Sequence, residues 1–349
     1  MNEKIPVTIW GATGYAGAEL LRIIARHPRF EAAGAVSRSK AGTAVGAAHP
    51  HLRHVYNGMD FISPDDAASL SPAVAFLALP HRASAQIAAR LLEAGQKVVD
   101  LSADFRLKST EEYKKWYGVE HPAPQYLAEA AYGLPELHRA EIAQARLVSG
   151  VGCNAAAMIT ALLPIARAGA IEEARVECRV GSSESGAGAG EGSAHSVRSR
   201  ALRVVTPFVH RHAAEASQEL SLPLSSFTLG VTAVELVRGI QCLAHVTLKE
   251  RLREADLWKL YRSAWNDEPF VSFTPAKPAH FRIPDPRFVL GSNRVLTGFM
   301  LAEDGRRMIA ASAIDNLMKG AAGSAVQCAN LMTGLPEICG LDMMPLYPA

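Results

Sequence analysis

Cysteine is scarce: five occur in 349 residues, at 153, 178, 242, 328 and 339. The number is odd, the spacing is wide and no CxxC pair occurs, so neither a disulfide framework nor a zinc or other metal site is suggested, and a reducing cytoplasm fits best. A dominant charge is also missing. Lys and Arg number 36 against 34 Asp and Glu, a net charge of +2 that gives no reason to expect nucleic acid as a partner. No apolar run reaches the roughly 18–20 residues of a membrane helix, so no membrane partner is expected. The opening MNEKIPVTIW leads straight into a strand without a signal peptide. There is no internal repeat, and the biased stretch is the Gly/Ser-rich 181–193. What the chain has is apolar mass: 49% hydrophobic and 20% charged residues suffice for a substantial core in two domains, or in one with a large insertion.

Residues 148–170, VSGVGCNAAAMITALLPIARAGA, organise the rest. A short apolar and glycine run meets Cys153, and behind it 155–168 reads as a helix that Gly169 would end. Cys153 thus falls at or just before a helix N-terminus, where the dipole and unpaired N–H groups favour a thiolate. The N–H groups around Asn154 can hold an oxyanion on a substrate bonded to that sulfur. Alone, the same stretch also describes a buried cysteine in a strand-to-helix turn.

At the N-terminus, strand 5–10 runs into Gly11-Ala12-Thr13-Gly14-Tyr15-Ala16-Gly17 and an amphipathic stretch, 18–27. Strand, glycine turn and helix make a dinucleotide-binding opening: Gly11 for the turn, Gly14 for close approach to a pyrophosphate, Gly17 for helix–strand packing. The spacing is GxxGxxG rather than GxGxxG, and a purely structural turn would read similarly. Strand 31–36 ends in Ser37-Arg38-Ser39-Lys40, where an NAD site usually places an acid. Two cations and two hydroxyls suit a 2′-phosphate, so NADP(H) is favoured, although a solvated basic loop has the same composition.

Strands at 74–79 and 98–101, each with a helical stretch nearby, continue a parallel, doubly wound sheet. Arg106 lies just past the second strand, where it can pair with an anionic substrate or form a structural salt bridge. Residues 111–118 read as a helix, 132–137 as a turn, and 147–149 as the strand that delivers Cys153. Beyond the cysteine the texture alternates at 176–180, 228–237 and 241–248, which suggests a second, mixed or antiparallel sheet. Between them the small polar run 181–188, with Ser182 and Ser183, is fit to let a substrate lie against backbone or to act as a linker. Arg198, Arg200 and Arg203 follow, then His210-Arg211-His212 and a helix at 213–220. A histidine is the natural proton shuttle for a thiolate, though either His210 or His212 also suits a structural hydrogen bond. Near the end, 308–314 reads as a strand and Asp315-Asn316 as the cap of a helix running from about 317 to 332.

These pieces, in this order, resemble the N-acetyl-γ-glutamyl-phosphate reductase family of the aspartate-semialdehyde dehydrogenase superfamily. The resemblance rests on GATGYAGAELLRII, HPHLR, FLALPH, DLSADFRL, KWYG, YGLPEL, GCNAAA, HRHAAE, VRGI and SAIDNLMKGAAGSAVQ, which span nearly the whole chain. It implies a Rossmann-type NADP domain at 1–152, a catalytic α+β domain with a mixed sheet at 153–314 that also makes contacts in a dimer or tetramer, and a C-terminal helix, 315–349, returning to the NADP domain. It implies Cys153 as nucleophile, Thr13–Ala16, Ser37–Ser39 and Asn316 as NADP contacts, and Arg106 in the pocket; Asn154, Ser182, Ser183 and Arg198 are the further candidates around the substrate and its phosphate. The implied reaction is NADPH-dependent reduction of an N-blocked γ-glutamyl phosphate to its semialdehyde through a cysteine thioester, as in arginine biosynthesis. Two stretches depart from that type. Where PGCYPTA is usual the chain reads VGCNAAA, and it carries IPDPRFVLGSN at 283–293. Both look like the subfamily whose substrate, 2-aminoadipate 6-phosphate or glutamyl phosphate, rides on an acidic carrier protein for lysine or ornithine synthesis. There Arg198, Arg200, Arg203 and Arg211 would complement the carrier's charge. Val151 replaces a usual proline and Arg82 a usual glycine. A different cysteine dehydrogenase and a non-catalytic NADP sensor are the remaining readings.

Overall fold

Strands buried on both faces need apolar side chains at every position, and the first half of the chain supplies them: Val74, Ala75, Phe76 and Leu77 are all buried. The structure, a computed structural model, describes residues 3–188, 190–275, 277–278 and 281–347. The Gly/Ser-rich run 181–193 is thus described except at Ala189. The chain divides into two units, Met1–Val151 with Ala321–Asp342, and Gly152–Gly320 with Met343–Ala349.

The first unit is built on β1 (Ile5–Trp10), β2 (Phe30–Val36), β3 (Phe61–Ile62), β4 (Val74–Leu77), β5 (Lys97–Asp100), β6 (Ala131–Gly133) and β7 (Leu147–Gly150). Their spatial order is β3-β2-β1-β4-β5-β7-β6, and every pair is parallel. The order reverses between β1 and β4, the place where open α/β sheets bind ligands. Crossovers carry α1 (Tyr15–Ile24), α2 (Val45–Ala48), α3 (Pro64–Ala68), α4 (Ser84–Glu93), α5 (Thr110–Tyr117) and α6 (Pro135–Gln144). The stretch 132–137, read above as a turn, is instead β6 followed directly by α6. Tyr132 pairs with Ser149 on the sheet, and Pro135 at the first helical turn has the fixed φ that a helix start tolerates.

In the second unit α7 (Cys153–Arg167) is a core helix, buried on every side from Asn154 to Ile165. It begins two residues earlier than the pattern suggested. It lies against the mixed sheet of β8 (Ile171–Val180), β9 (Leu202–Thr206), β10 (Phe227–Val234), β11 (Ile240–Leu248), β12 (Val271–Phe273), β13 (Val295–Leu301) and β14 (Arg307–Ile314). The order is β12-β13-β14-β11-β8-β10-β9, parallel at β12/β13 and β8/β10 and antiparallel elsewhere. The remaining helices of this unit are α8 (His195–Arg198), α9 (His212–Leu220) and α10 (Glu254–Trp265).

The helix expected from 317 to 332 is a π-turn, Met318–Ala322, followed by α11 (Gly323–Met332), which packs in the first unit against α6 and β5. Residues 315–320 stay with the second unit. Asp315 pairs with Arg238 at 3.0 Å and accepts the Gly291 N–H at 2.7 Å, so the chain is anchored there until Gly320. The tail from Met343 also belongs to the second unit, with Tyr347 on Phe288 at 5.2 Å between ring centres.

Candidate active site

Cys153 is the first residue of α7, and Gly152 is its extended N-cap. Two glycines make room for it. A β-carbon on Gly152 would lie 2.7 Å from Glu215 Oε1 and 2.8 Å from His212 Nε2, and one on Gly320 would lie 2.7 Å from Cys153 Cβ. The half-buried Cys153 donates its S–H toward Glu184 Oε1 at 3.8 Å, and Asn154 Nδ2 donates to the same oxygen at 2.5 Å. Asn154 is fully buried and its side-chain amide donates to Glu184, while the first turn of a helix offers backbone N–H groups that suit an anion.

The HRH run separates into two roles. His212 opens α9 and is buried, its Nε2 3.9 Å from Glu215 Oε1, and Glu215 Oε2 accepts the Gly152 N–H at 2.9 Å. Glu215 therefore lies between the imidazole and the turn that carries Cys153. His210 packs edge-on against His212 at 4.5 Å between ring centres, and its Nδ1 accepts the His212 backbone N–H at 3.2 Å. Of the two, His212 is the one the fold places beside Glu215.

The turn Ser182–Ser185 is pinned by backbone. Gly181, Ser182 and Ser183 donate to the carbonyls of Gly239, Leu236 and Val237 at 3.0, 2.8 and 2.9 Å. Ser183 Oγ accepts from Asn316 Nδ2 at 2.9 Å, and Asn316 Oδ1 accepts the Gly239 N–H at 2.8 Å. Asn316, expected beside the nicotinamide, thus uses both ends of its amide within the second unit, and Asp315 rather than Asn316 caps the following turn through the N–H groups of Leu317 and Met318. Arg198 is buried, donates to the Val180 carbonyl at 3.3 Å, and has its pKa lowered by burial and by Arg203. It is not part of an exposed arginine face. Arg200, Arg203 and Arg211 are exposed, near the open edge strand β9, whose Leu202 is 82% exposed.

In the first unit, Gly11 has φ +72°, and a β-carbon on it would meet Ala78 O at 2.3 Å. On Gly17 one would meet Gly11 O at 2.5 Å and Ala12 Cα at 2.6 Å, whereas Gly14 has only Gly11 O at 3.5 Å. Gly11 and Gly17 are required by the protein's own packing; the room at Gly14, beside Thr13, Tyr15 and Ala16 at the N-terminus of α1, fits a pyrophosphate. After β2, Ser37 is buried and donates its N–H to Ile62 O at 3.0 Å, while Arg38, Ser39 and Lys40 are exposed. Arg106 is buried, with Nε on the Gly150 carbonyl at 2.8 Å and Nη2 on Leu101 O at 3.1 Å. It ties down the end of β7, three residues before Cys153.

The DLSADF stretch carries polar chemistry that sequence reasoning did not assign. Asp104 accepts the N–H groups of Arg82, Ser84 and Ala85 at 2.8, 3.2 and 3.0 Å and so caps α4. Arg82 stands at φ +73°, a left-handed conformation that glycine adopts without strain and a long side chain does not. Asp100 is fully buried. Burial, then the Asp104 charge, push its pKa up to about 6 against hydrogen bonds from Ser84 and Ser102. Among the described residues no group of three or more His, Cys, Asp and Glu could hold a metal, and no helix is long and apolar enough to cross a membrane.

Residues 6–145 match the family model described as semialdehyde dehydrogenase, NAD binding domain, and 153–316 that described as semialdehyde dehydrogenase, dimerisation domain. Over 99% of both chains the protein is 45% identical to a relative from Thermomicrobium roseum named "Putative [LysW]-L-2-aminoadipate 6-phosphate reductase". Over 100% of both it is 43% identical to the "[LysW]-L-2-aminoadipate/[LysW]-L-glutamate phosphate reductase" of Saccharolobus solfataricus. In fold it is similar to aspartate semialdehyde dehydrogenase II of Vibrio cholerae, complexed with ASA, at TM-score 0.71 and 18% identity over 95% of this chain and 99% of that one.

Proposed function

Because the chain belongs to the semialdehyde dehydrogenase family, we propose that it reduces an acyl phosphate to a semialdehyde through a thioester on Cys153, on a 2-aminoadipate or glutamate chain carried by an acidic protein, with NADPH as reductant. The observation that carries the reaction class is Cys153 at the start of α7 with Glu215 shared between its turn and His212. The names of full-length relatives above 40% identity support the carrier-linked substrate, and they support it better than the free N-acetylated glutamate of arginine synthesis. The VGCNAAA motif points the same way.

The thiol attacks the acyl carbon, and the α7 N–H groups stabilise the oxyanion that forms. Phosphate departs and leaves the thioester. His212, oriented by Glu215, protonates and deprotonates the substrate oxygen. Arg106 holds the strand end from which the nucleophile's turn departs. Gly11, Gly14 and the first turn of α1 would hold the pyrophosphate, and Arg38 with Ser39 a 2′-phosphate; the bound dinucleotide supplies a hydride. The exposed Arg200, Arg203 and Arg211 beside β9 suit an acidic carrier. The open face of the second sheet, lined by Arg175, His245, Met300 and Arg307, suits a second copy of the chain.

The test is phosphate-dependent reduction of NADP⁺ with two semialdehydes offered side by side, one free and N-acetylated, one on an acidic carrier protein. Turnover restricted to the carrier-bound compound is expected. Turnover of the free compound alone would return the enzyme to arginine-type chemistry, and full activity of Cys153→Ser would end the thioester reading.

A further inference from the structure

We infer that Glu184 is the group that takes the proton of the Cys153 thiol as the sulfur attacks. The inference rests on the acyl-transfer reading above and adds a second protonatable residue to it. Glu184 Oε1 lies 3.8 Å from Cys153 Sγ, the reacting atom, and is held there by Asn154 Nδ2 at 2.5 Å. Its turn is rigid, fastened by three backbone hydrogen bonds to the β10–β11 connection and by Asn316 through Ser183. The nucleophile and its immediate neighbour on α7 thus converge on one carboxylate oxygen, delivered from the end of β8, which places a fixed acceptor on the thiol side of the site.

The surroundings suit a base. Burial raises the Glu184 pKa, while hydrogen bonds from Asn154 and Cys153 and the charges of Arg211 and Arg198 favour the ionised form. A carboxyl group raised in this way is a better match for a thiol proton than an ordinary surface carboxylate. A further titratable neighbour is the buried Cys178, whose Sγ points at the Asn154 carbonyl at 3.9 Å and whose pKa is held well above the usual thiol value, foremost by Cys242, so it keeps its own proton.

In the acylation step the sulfur electron pair forms the C–S bond, the proton passes from Sγ to Glu184 Oε1, and the C–O bond to phosphate breaks with its electron pair on the phosphate oxygen. Glu184 then releases the proton to the departing phosphate. Nothing is oxidised or reduced in this step. His212, on the Glu215 side of Gly152, is left for the substrate oxygen. Two protonatable groups thereby divide the work of one cysteine.

The experiment uses full-length protein without nucleotide and p-nitrophenyl acetate as the acyl donor, reading the single-turnover release of p-nitrophenolate from about pH 5 to pH 9. Wild type should show a burst with an acid limb and a plateau, and Cys153→Ser should show none. Glu184→Gln should be slower by roughly 10²-fold near neutral pH, the usual worth of a positioned base, with a rate rising in proportion to hydroxide. Glu184→Asp, which keeps the carboxylate but is one methylene shorter, should recover part of the loss. A merely structural Glu184 would leave the shape of the pH profile unchanged in the folded Gln variant. Equal or faster acylation by that variant, a burst that survives Cys153→Ser, or no burst in wild type each overturns the assignment. Because the ester needs neither carrier nor phosphate, the expected pattern in a protein inactive on carrier-linked semialdehydes would keep the Glu184–Cys153 pair and remove only the substrate reading.

Discussion

Glu215 Oε2 accepts the N–H of Gly152 at 2.9 Å while its other oxygen lies 3.9 Å from His212 Nε2. A fully buried carboxylate therefore holds the turn that carries Cys153 and lies beside the neighbouring imidazole. Glu215→Ala should leave the Gly152 N–H without its acceptor, at a cost of about 1–3 kcal/mol in stability. Glu215→Gln keeps an acceptor for that N–H and should stay folded, yet lose about 10-fold or more in kcat because the charge that orients and stabilises a protonated His212 is gone. Steady-state kinetics beside urea unfolding separate the two effects. Wild-type kcat in the Gln variant would show that His212 does not depend on this carboxylate.

The glycines of the first turn should part company under substitution. Gly17→Ala drives a β-carbon to 2.5 Å from Gly11 O, a backbone atom that cannot swing away, so a loss of about 1–3 kcal/mol is expected. Gly14→Ala meets only Gly11 O at 3.5 Å and should melt close to wild type. Its cost should appear in NADPH affinity, about tenfold or 1.4 kcal/mol, because the added methyl occupies the approach to the pyrophosphate. Fluorescence titration with NADPH and thermal melts of both variants check this. Unaltered affinity in Gly14→Ala would remove the pyrophosphate from that position.

Asp100 gives a stability signature with a defined sign. Its pKa rises from 3.8 in the open chain to about 6 in the fold, so between those values the folded state holds more of the proton. Stability from this group is therefore greatest below pH 4 and falls as pH rises toward 6, by roughly 3 kcal/mol in total. Asp100→Asn should lack that component, and so gain stability relative to wild type at pH 7 but not at pH 4. Urea unfolding of both proteins at the two pH values measures it. A difference that is the same at both would mean that Asp100 titrates in the fold as it does in the open chain.

The alternation of strand and helix up to Cys153 was legible because parallel strands buried on both faces must be apolar without interruption, as in 74–77. The place of Cys153 was legible because a glycine turn between a short strand and an alanine-rich run leaves few conformations, and the cysteine expected at or just before a helix N-terminus is the first residue of α7. What sequence could not show depends on contacts between distant residues. β3, β6 and β12 are two or three residues long and exist only through their neighbours in the sheets. The stretch 317–332 has the composition of one helix, yet it widens into a π-turn where Gly320 meets Cys153. HRH offers two similar histidines, and only the fold puts the second within reach of Glu215, three residues along the same helix. Glu184 stands 31 residues from Cys153, in a run of small polar residues that reads as a backbone cradle for a substrate or as a linker, with nothing to single out its carboxylate.

Cys153, Asn154, Glu184, His212 and Glu215 all lie in the uninterrupted stretch from Gly152 to Gly320, whereas the nucleotide unit is assembled from both chain ends. The residues of the proposed acyl-transfer site are thus contiguous in sequence, so a segment cut at Gly152 and Gly320 would carry all five of them together.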